Sequence, residues 1–158
     1  MRAVPRTLAL LLALCASVLT PVAHAERGSL ATTAPLPKYV QECAACHLAY
    51  PPGLLPAASW QRVLGRLDRH YGTDASLDPA SVQQIGAWLQ ANAATARRAR
   101  EAPPQDRITR AAWFVREHAE VPAQVWQRPS IQSPANCAAC HSGAGQGNFS
   151  EHGVHIPR

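Results

Sequence analysis

The chain has 158 residues, 47% of them hydrophobic but only 6% aromatic, with 15 Lys and Arg against 10 Asp and Glu for a net charge of +5. That length suits one small domain or two very small lobes, and so few aromatics leave a weak apolar core for the size. The basic balance does not make a nucleic-acid binder, because no stretch interleaves aromatic and basic side chains as single-strand binders do.

Residues 1–25 read as a secretory signal peptide. Arg2 and Arg6 form the positive n-region, Leu8 to Leu19 the apolar h-region, and Ala23-His24-Ala25 a small-x-small cleavage site before Glu26. The apolar run is shorter than the roughly 20 residues a membrane span needs. No later stretch approaches that length, so cleavage after Ala25 leaves a chain without a span, an uncleaved anchor being the alternative. Leu14 is too bulky for the residue before a lipidated cysteine, which argues against an anchor on Cys15. Export from a Gram-negative cell places the chain in the periplasm. Losing Arg2 and Arg6 takes the charge from +5 to +3.

Residues 26–37 lack periodicity and read as a loose arm. Lys38 to His47 reads as a short helix ending in Cys43-Ala44-Ala45-Cys46-His47. Tyr50 to Pro56 is too proline-rich for helix and reads as a covering loop. Ser59 is a candidate N-cap. Trp60, Val63, Leu64, Leu67 and Tyr71 then follow helical spacing, with His70 on the same stripe and Gly72 as the stop. Asp78-Pro79 is a cap and first-turn pair, opening a helix that carries Val82, Ile85, Trp88 and Leu89 and ends near Asn92. Residues 97–106, with Arg97, Arg98 and Arg100, read as a solvated linker between a first lobe, 38–96, and a second, 107–158. A third long helix is expected from Ile108 to Ala119, with Ile108, Ala111, Ala112, Val115 and His118 on one face. Pro134 to His141 reads as a last short helix carrying Cys137-Ala138-Ala139-Cys140-His141. Gly143 to Gly147 and the tail to Arg158 read as irregular. The Gly-rich stretch follows no strand, so it is a tight loop rather than a phosphate cradle. No alternating run suggests a sheet. The expected class is all-α, short helices and proline-rich loops around whatever the two cysteine motifs hold.

Each Cys-x-x-Cys-His is the attachment signature of c-type haem. Two thiols a short step apart bond to the two vinyl groups on one porphyrin edge, and the next residue sets an imidazole under the iron. Cys43, Cys46, Cys137 and Cys140 are thus the attachment sites of two covalent haems, and His47 and His141 the proximal ligands. Of five cysteines, Cys15 leaves with the leader, so none remains for a disulfide or a catalytic thiol. Two covalent haems also staple a domain with little core of its own. Their propionates bring the holoprotein near neutrality.

The sixth ligand decides what a haem does. The only methionine is Met1, in the leader, so methionine ligation is excluded by counting. Lys38 is the one lysine. His70, His118, His152 and His155 remain for two distal positions. His70 and His118 are the better pair, since both sit on apolar helical faces that can aim a ring. His70 follows His47 at the separation by which His118 precedes His141, which suits ligation within each lobe. A crossed arrangement, each distal histidine reaching the other lobe's haem, stays open.

At this point the chain resembles the dihaem cytochrome c family of small periplasmic electron carriers. The matching residues are Cys43 to His47, Ala49 to Pro56, Ser59-Trp60, His70 to Leu77, Arg107 to Thr109, Trp113-Phe114, Glu117-His118, Asn136 to His141 and Val154 to Pro157. The resemblance implies bis-histidine ligation of both haems by His47, His70, His118 and His141. It also implies the partners: a membrane cytochrome b as donor and a monohaem, oxygen-binding cytochrome c as acceptor. The residues themselves do not show these.

The expected function is electron transfer by a monomeric, non-enzymatic carrier with low potentials, since six-coordinate bis-histidine irons leave no open site for substrate. The alternative is a haem enzyme, peroxidase or small-ligand reductase, or a ligand sensor, which needs one open iron. A zinc ribbon fits poorly, because its cysteine pairs lie closer together in sequence than these.

Overall fold

A computed structural model describes residues 33–95 and 101–158. The expected signal peptide, most of the arm, and Arg97, Arg98 and Arg100 lie outside the described residues. Among the described residues the backbone forms four α-helices and a series of short 3-10 turns, with no strand. Helix α1 is Pro37–Cys43, α2 Ala57–Leu64, α3 Pro79–Asn92 and α4 Ala112–Glu117.

Helix α3 forms as its sequence dictates. The Asp78 carboxylate caps it by accepting from the Ser81 amide at 3.0 Å, and Pro79 opens the first turn. It buries Ser81, Ile85, Gly86 and Leu89 against α2. The two helices approach closely at Gly86, where a Cβ would stand 3.3 Å from Leu64 Cδ1. Tyr39 of α1 and Leu55 complete this core with Trp60, Ile85 and Leu89, and Leu36, Tyr50, Leu64, Trp88 and Ile108 pack around it. The Trp60 indole donates to the Pro52 carbonyl at 2.8 Å, which ties the proline loop over the core.

Other elements are shorter than their patterns suggest. The first helix stops at Cys43, a turn before His47, and the His47 ring bonds the Leu48 carbonyl at 2.7 Å. Helix α2 opens at Pro56, not Ser59. Ser59 lies inside it, fully buried, and accepts from Arg62. The helix ends at Gly65, and a 3-10 turn over Leu67–Arg69 then delivers His70. Tyr71 and Gly72 follow with φ of 51° and 102°, reversing the chain so that the Thr73 amide returns to the His70 carbonyl at 3.1 Å.

The expected helix 108–119 is broken at Ala111, whose backbone is extended (φ −64°, ψ 137°). The break lets Ile108 pack on the first core while Phe114, one turn into α4, is buried in the second half with Val125, Ile131 and Ala144. Likewise Pro134–His141 is not an α-helix but a 3-10 turn over Cys137–Ala139, closed by the His141 amide on the Cys137 carbonyl at 2.9 Å. The tail is not loose. The His155 amide bonds the Cys140 carbonyl at 2.9 Å, His141 and Val154 form a β-bridge, and Arg128 donates to the Pro157 carbonyl at 2.7 Å.

Of residues 101–106, Pro103 and Asp106 are buried and the other four are exposed. The Asp106 side chain is only 5% exposed and takes two guanidinium nitrogens of Arg62, at 2.7 and 3.0 Å, and Arg66 at 3.3 Å. Burial raises its pKa, but these partners and Ser59 outweigh it, and the carboxyl stays below its ordinary range. Gln105 and Asp106 hold φ of 59° and 55° to bring this about.

Candidate haem sites

Two pairs of imidazoles face one another. His47, in the turn after α1, and His70, after the 3-10 turn, have ring centroids 6.1 Å apart and planes 24° from parallel. His118, at the C-terminal end of α4, and His141, in the second motif, also lie 6.1 Å apart, with planes 75° apart. Each pair falls within one half of the chain.

That spacing can be tested against a metal. Two bonds of about 2 Å from a metal to imidazole nitrogens, with about 1.1 Å from each nitrogen to its ring centre, give roughly 6.2 Å between centroids. Both pairs match this separation, which would admit one metal ion between the two rings. Among the described residues no group of three or more His, Cys, Asp or Glu could hold a metal ion.

The ring protons suit ligation. His47 Nδ1 donates to the Leu48 carbonyl at 2.7 Å, and His118 Nδ1 donates to the Phe114 carbonyl at 2.9 Å. A carbonyl only accepts, so the proton of each neutral ring sits on Nδ1 and the Nε2 lone pair is free. His141 Nδ1 is buried with no hydrogen-bond partner, leaving a bonding capacity unmet within the protein. Burial, then the neighbouring His47 and Arg107, lowers the pKa of His70; burial, then His118, lowers that of His141. Both shifts favour the neutral ring a metal requires.

Aromatic rings wall each pair. Tyr50 stacks on His47 at 4.9 Å, and Tyr71 meets His70 edge-on at 4.9 Å. In the second half Phe114 stacks on His118 at 4.0 Å, with Trp126 at 5.8 Å, and Phe149 meets His141 at 5.5 Å. Sequence reasoning missed Tyr50, Tyr71, Phe114 and Phe149 as ring partners. Their nearness in sequence to a histidine was the only available signal.

The four described cysteines are unpaired. Burial pushes the Cys43 and Cys137 thiols up to about 11 and raises that of Cys140. Reactive thiols are shifted the other way by nearby positive charge or a helix N-terminus. Thiols that form thioethers to a porphyrin do not require a lowered value. His152 and His155, the other distal candidates, are exposed, and His152 Nδ1 faces Ser150 Oγ at 3.4 Å. No described helix is long and apolar enough to cross a membrane.

Comparison with known proteins agrees with this chemistry. The dihaem cytochrome c family matches residues 39–149. A diheme cytochrome c from Rhodobacter sphaeroides is 44% identical, with a TM-score of 0.66 over 74% of this chain and 98% of that one. A second structure of DHC purified from Rhodobacter sphaeroides is 43% identical, with a TM-score of 0.64 over 74% and 99%. The diheme cytochrome type c from Shewanella baltica OS155 is 37% identical, with a TM-score of 0.68 over 77% and 92%. A search of curated proteins finds no match. With two haem c groups as its cofactors, the chain belongs to the dihaem cytochrome c family.

Proposed function

We propose that this chain is a periplasmic electron carrier in which His47 and His70 hold one haem iron and His141 and His118 the other. Cys43 with Cys46, and Cys137 with Cys140, carry the thioether bonds. The 6.1 Å separation of both ring pairs supports this reading most directly. Ligation then lies within each of two lobes, 38–96 and 107–158, joined by 97–106, and is not crossed.

When bound, each haem supplies a one-electron ferric–ferrous couple. The chain's residues hold and shield it. The Leu48 and Phe114 carbonyls fix the proximal His47 and distal His118 rings, and Tyr50 and Phe114 stack on them. Two protein ligands per iron leave no position for substrate, so the protein is a carrier and not an enzyme. Histidine on both sides sets low potentials, within an axial-ligand range of about 0.8 V.

The signal peptide, cleaved after Ala25, takes the chain to the periplasm. The partners proposed from the family resemblance are a membrane cytochrome b as donor and a monohaem oxygen-binding cytochrome c as acceptor, met by a monomer. A potentiometric titration of the purified holoprotein tests the assignment. Both midpoints should lie below zero against the hydrogen electrode, and two values well above zero would contradict it.

A further inference from the structure

Beside the first ring pair lies a cavity of about 440 Å³ lined by Val63, Arg66, Arg69, His70, Tyr71, Gln105 and Arg107. Three guanidinium groups share it, but they are not equally free. Arg66 is bonded to Asp106 at 3.3 Å and Arg69 to Asp68 at 3.1 Å. Arg107 makes no ion pair among the described residues. Its Cζ lies over the Tyr71 ring, 4.3 Å from the centroid, and it lines the same cavity as His70.

The backbone around Arg107 is built at a cost. Tyr71, Gln105 and Asp106 all have positive φ, a conformation that side chains other than glycine adopt at a penalty. The Tyr71 hydroxyl donates to the Asp106 carbonyl at 3.0 Å and to that of Gln105 at 3.2 Å, locking the two strained segments together. The whole arrangement sets one uncompensated guanidinium beside His70. An unpaired guanidinium over a cavity suits a planar carboxylate, which it can bind with two parallel hydrogen bonds. The carboxylates a haem brings to such a place are its propionates.

We propose that Arg107, held by Tyr71, is the cation that pairs with a propionate of the haem bound at His47 and His70. The proposal rests on ligation of that haem by His70. Its second consequence is electrostatic. A fixed positive charge beside the haem favours the reduced state, which carries one positive charge fewer.

The test is potentiometry on holoprotein carrying Arg107→Gln, Arg107→Lys or, as a nearby control, Arg110→Gln. Arg110 is exposed and bonds the Gln105 side chain at 2.6 Å. Arg107→Gln should lower one of the two midpoints and leave the other in place, with the low-spin visible spectrum kept. Arg107→Lys, which keeps the charge but not the guanidinium over Tyr71, should retain most of the wild-type value. Arg110→Gln should move neither. Unchanged midpoints in Arg107→Gln, or an equal fall of both, would overturn the proposal alone. Carbon monoxide binding by the wild type at the haem of the first motif would instead overturn the ligation reading, and the proposal with it.

Discussion

Tyr50 lies against His47 with ring centroids 4.9 Å apart and planes 25° from parallel, while its hydroxyl crosses to the other half of the chain and donates to the Ala135 carbonyl at 2.8 Å. One side chain therefore touches the ring that ends the first motif and the backbone two residues before the second. The Tyr50 carbonyl is held in turn by the buried Tyr39 hydroxyl at 2.7 Å. Burial pushes the Tyr50 phenol up to about 12, so it stays a donor throughout the working pH range.

Tyr50→Phe keeps the stack and removes the bridge. It should lower unfolding free energy by about 1 kcal/mol, the net worth of an ordinary hydrogen bond, and leave the haem spectrum unchanged. Denaturant unfolding of the holoprotein measures the first and visible absorption the second.

Each distal ligand can be removed in turn. His70→Ala should open the iron of the first motif and His118→Ala that of the second, so each variant binds carbon monoxide at about half its haem. If either variant stayed insensitive to the gas, its histidine would not be a ligand.

The two ring pairs differ in twist, 24° in the first and 75° in the second. Parallel imidazoles split the iron d orbitals unequally, whereas perpendicular ones leave two of them nearly degenerate. The oxidised protein should therefore give two distinct low-spin EPR signals, one rhombic and one strongly axial. Two superimposed rhombic signals would contradict the observed twist.

Asp106 joins the segment before Arg107 to α2. Its pKa is raised by burial but lowered further by Arg62, Ser59 and Arg66, for a net depression. A depressed carboxylate contributes stability that is complete above its unfolded value, about pH 4, and is lost as pH falls through the folded value. The holoprotein should lose stability below about pH 4, and Asp106→Asn should flatten that part of the profile. At neutral pH the same substitution should cost about 2 kcal/mol, as expected for hydrogen bonds to a charged group.

The chemistry was legible because it is written in fixed spacing. Cys-x-x-Cys-His needs no tertiary context, and Asp78-Pro79 marked the start of α3 by local capping alone. The elements around His70 and His118 were harder to read. Leu67 and His70 share a face at three-residue spacing, which suits an α-helix and a 3-10 turn equally, and the chain took the turn after Gly65. Ile108 and His118 looked like one helical face, but Ile108 belongs to the first core and Ala111 breaks the run. The packed state of Asp106 had no local signal, because its partners Arg62 and Arg66 come from a distant part of the chain. The order of the tail was hidden likewise. His155 and Pro157 are held through backbone atoms, which leave no mark in side-chain pattern.

The central claim is that both irons are closed by protein histidines. The visible spectrum of the dithionite-reduced holoprotein, with and without carbon monoxide, tests it directly. No change on adding the gas is the predicted result, with both haems six-coordinate. A shift in about half of the haem would mean one open iron, and would turn the reading toward an enzyme or ligand sensor.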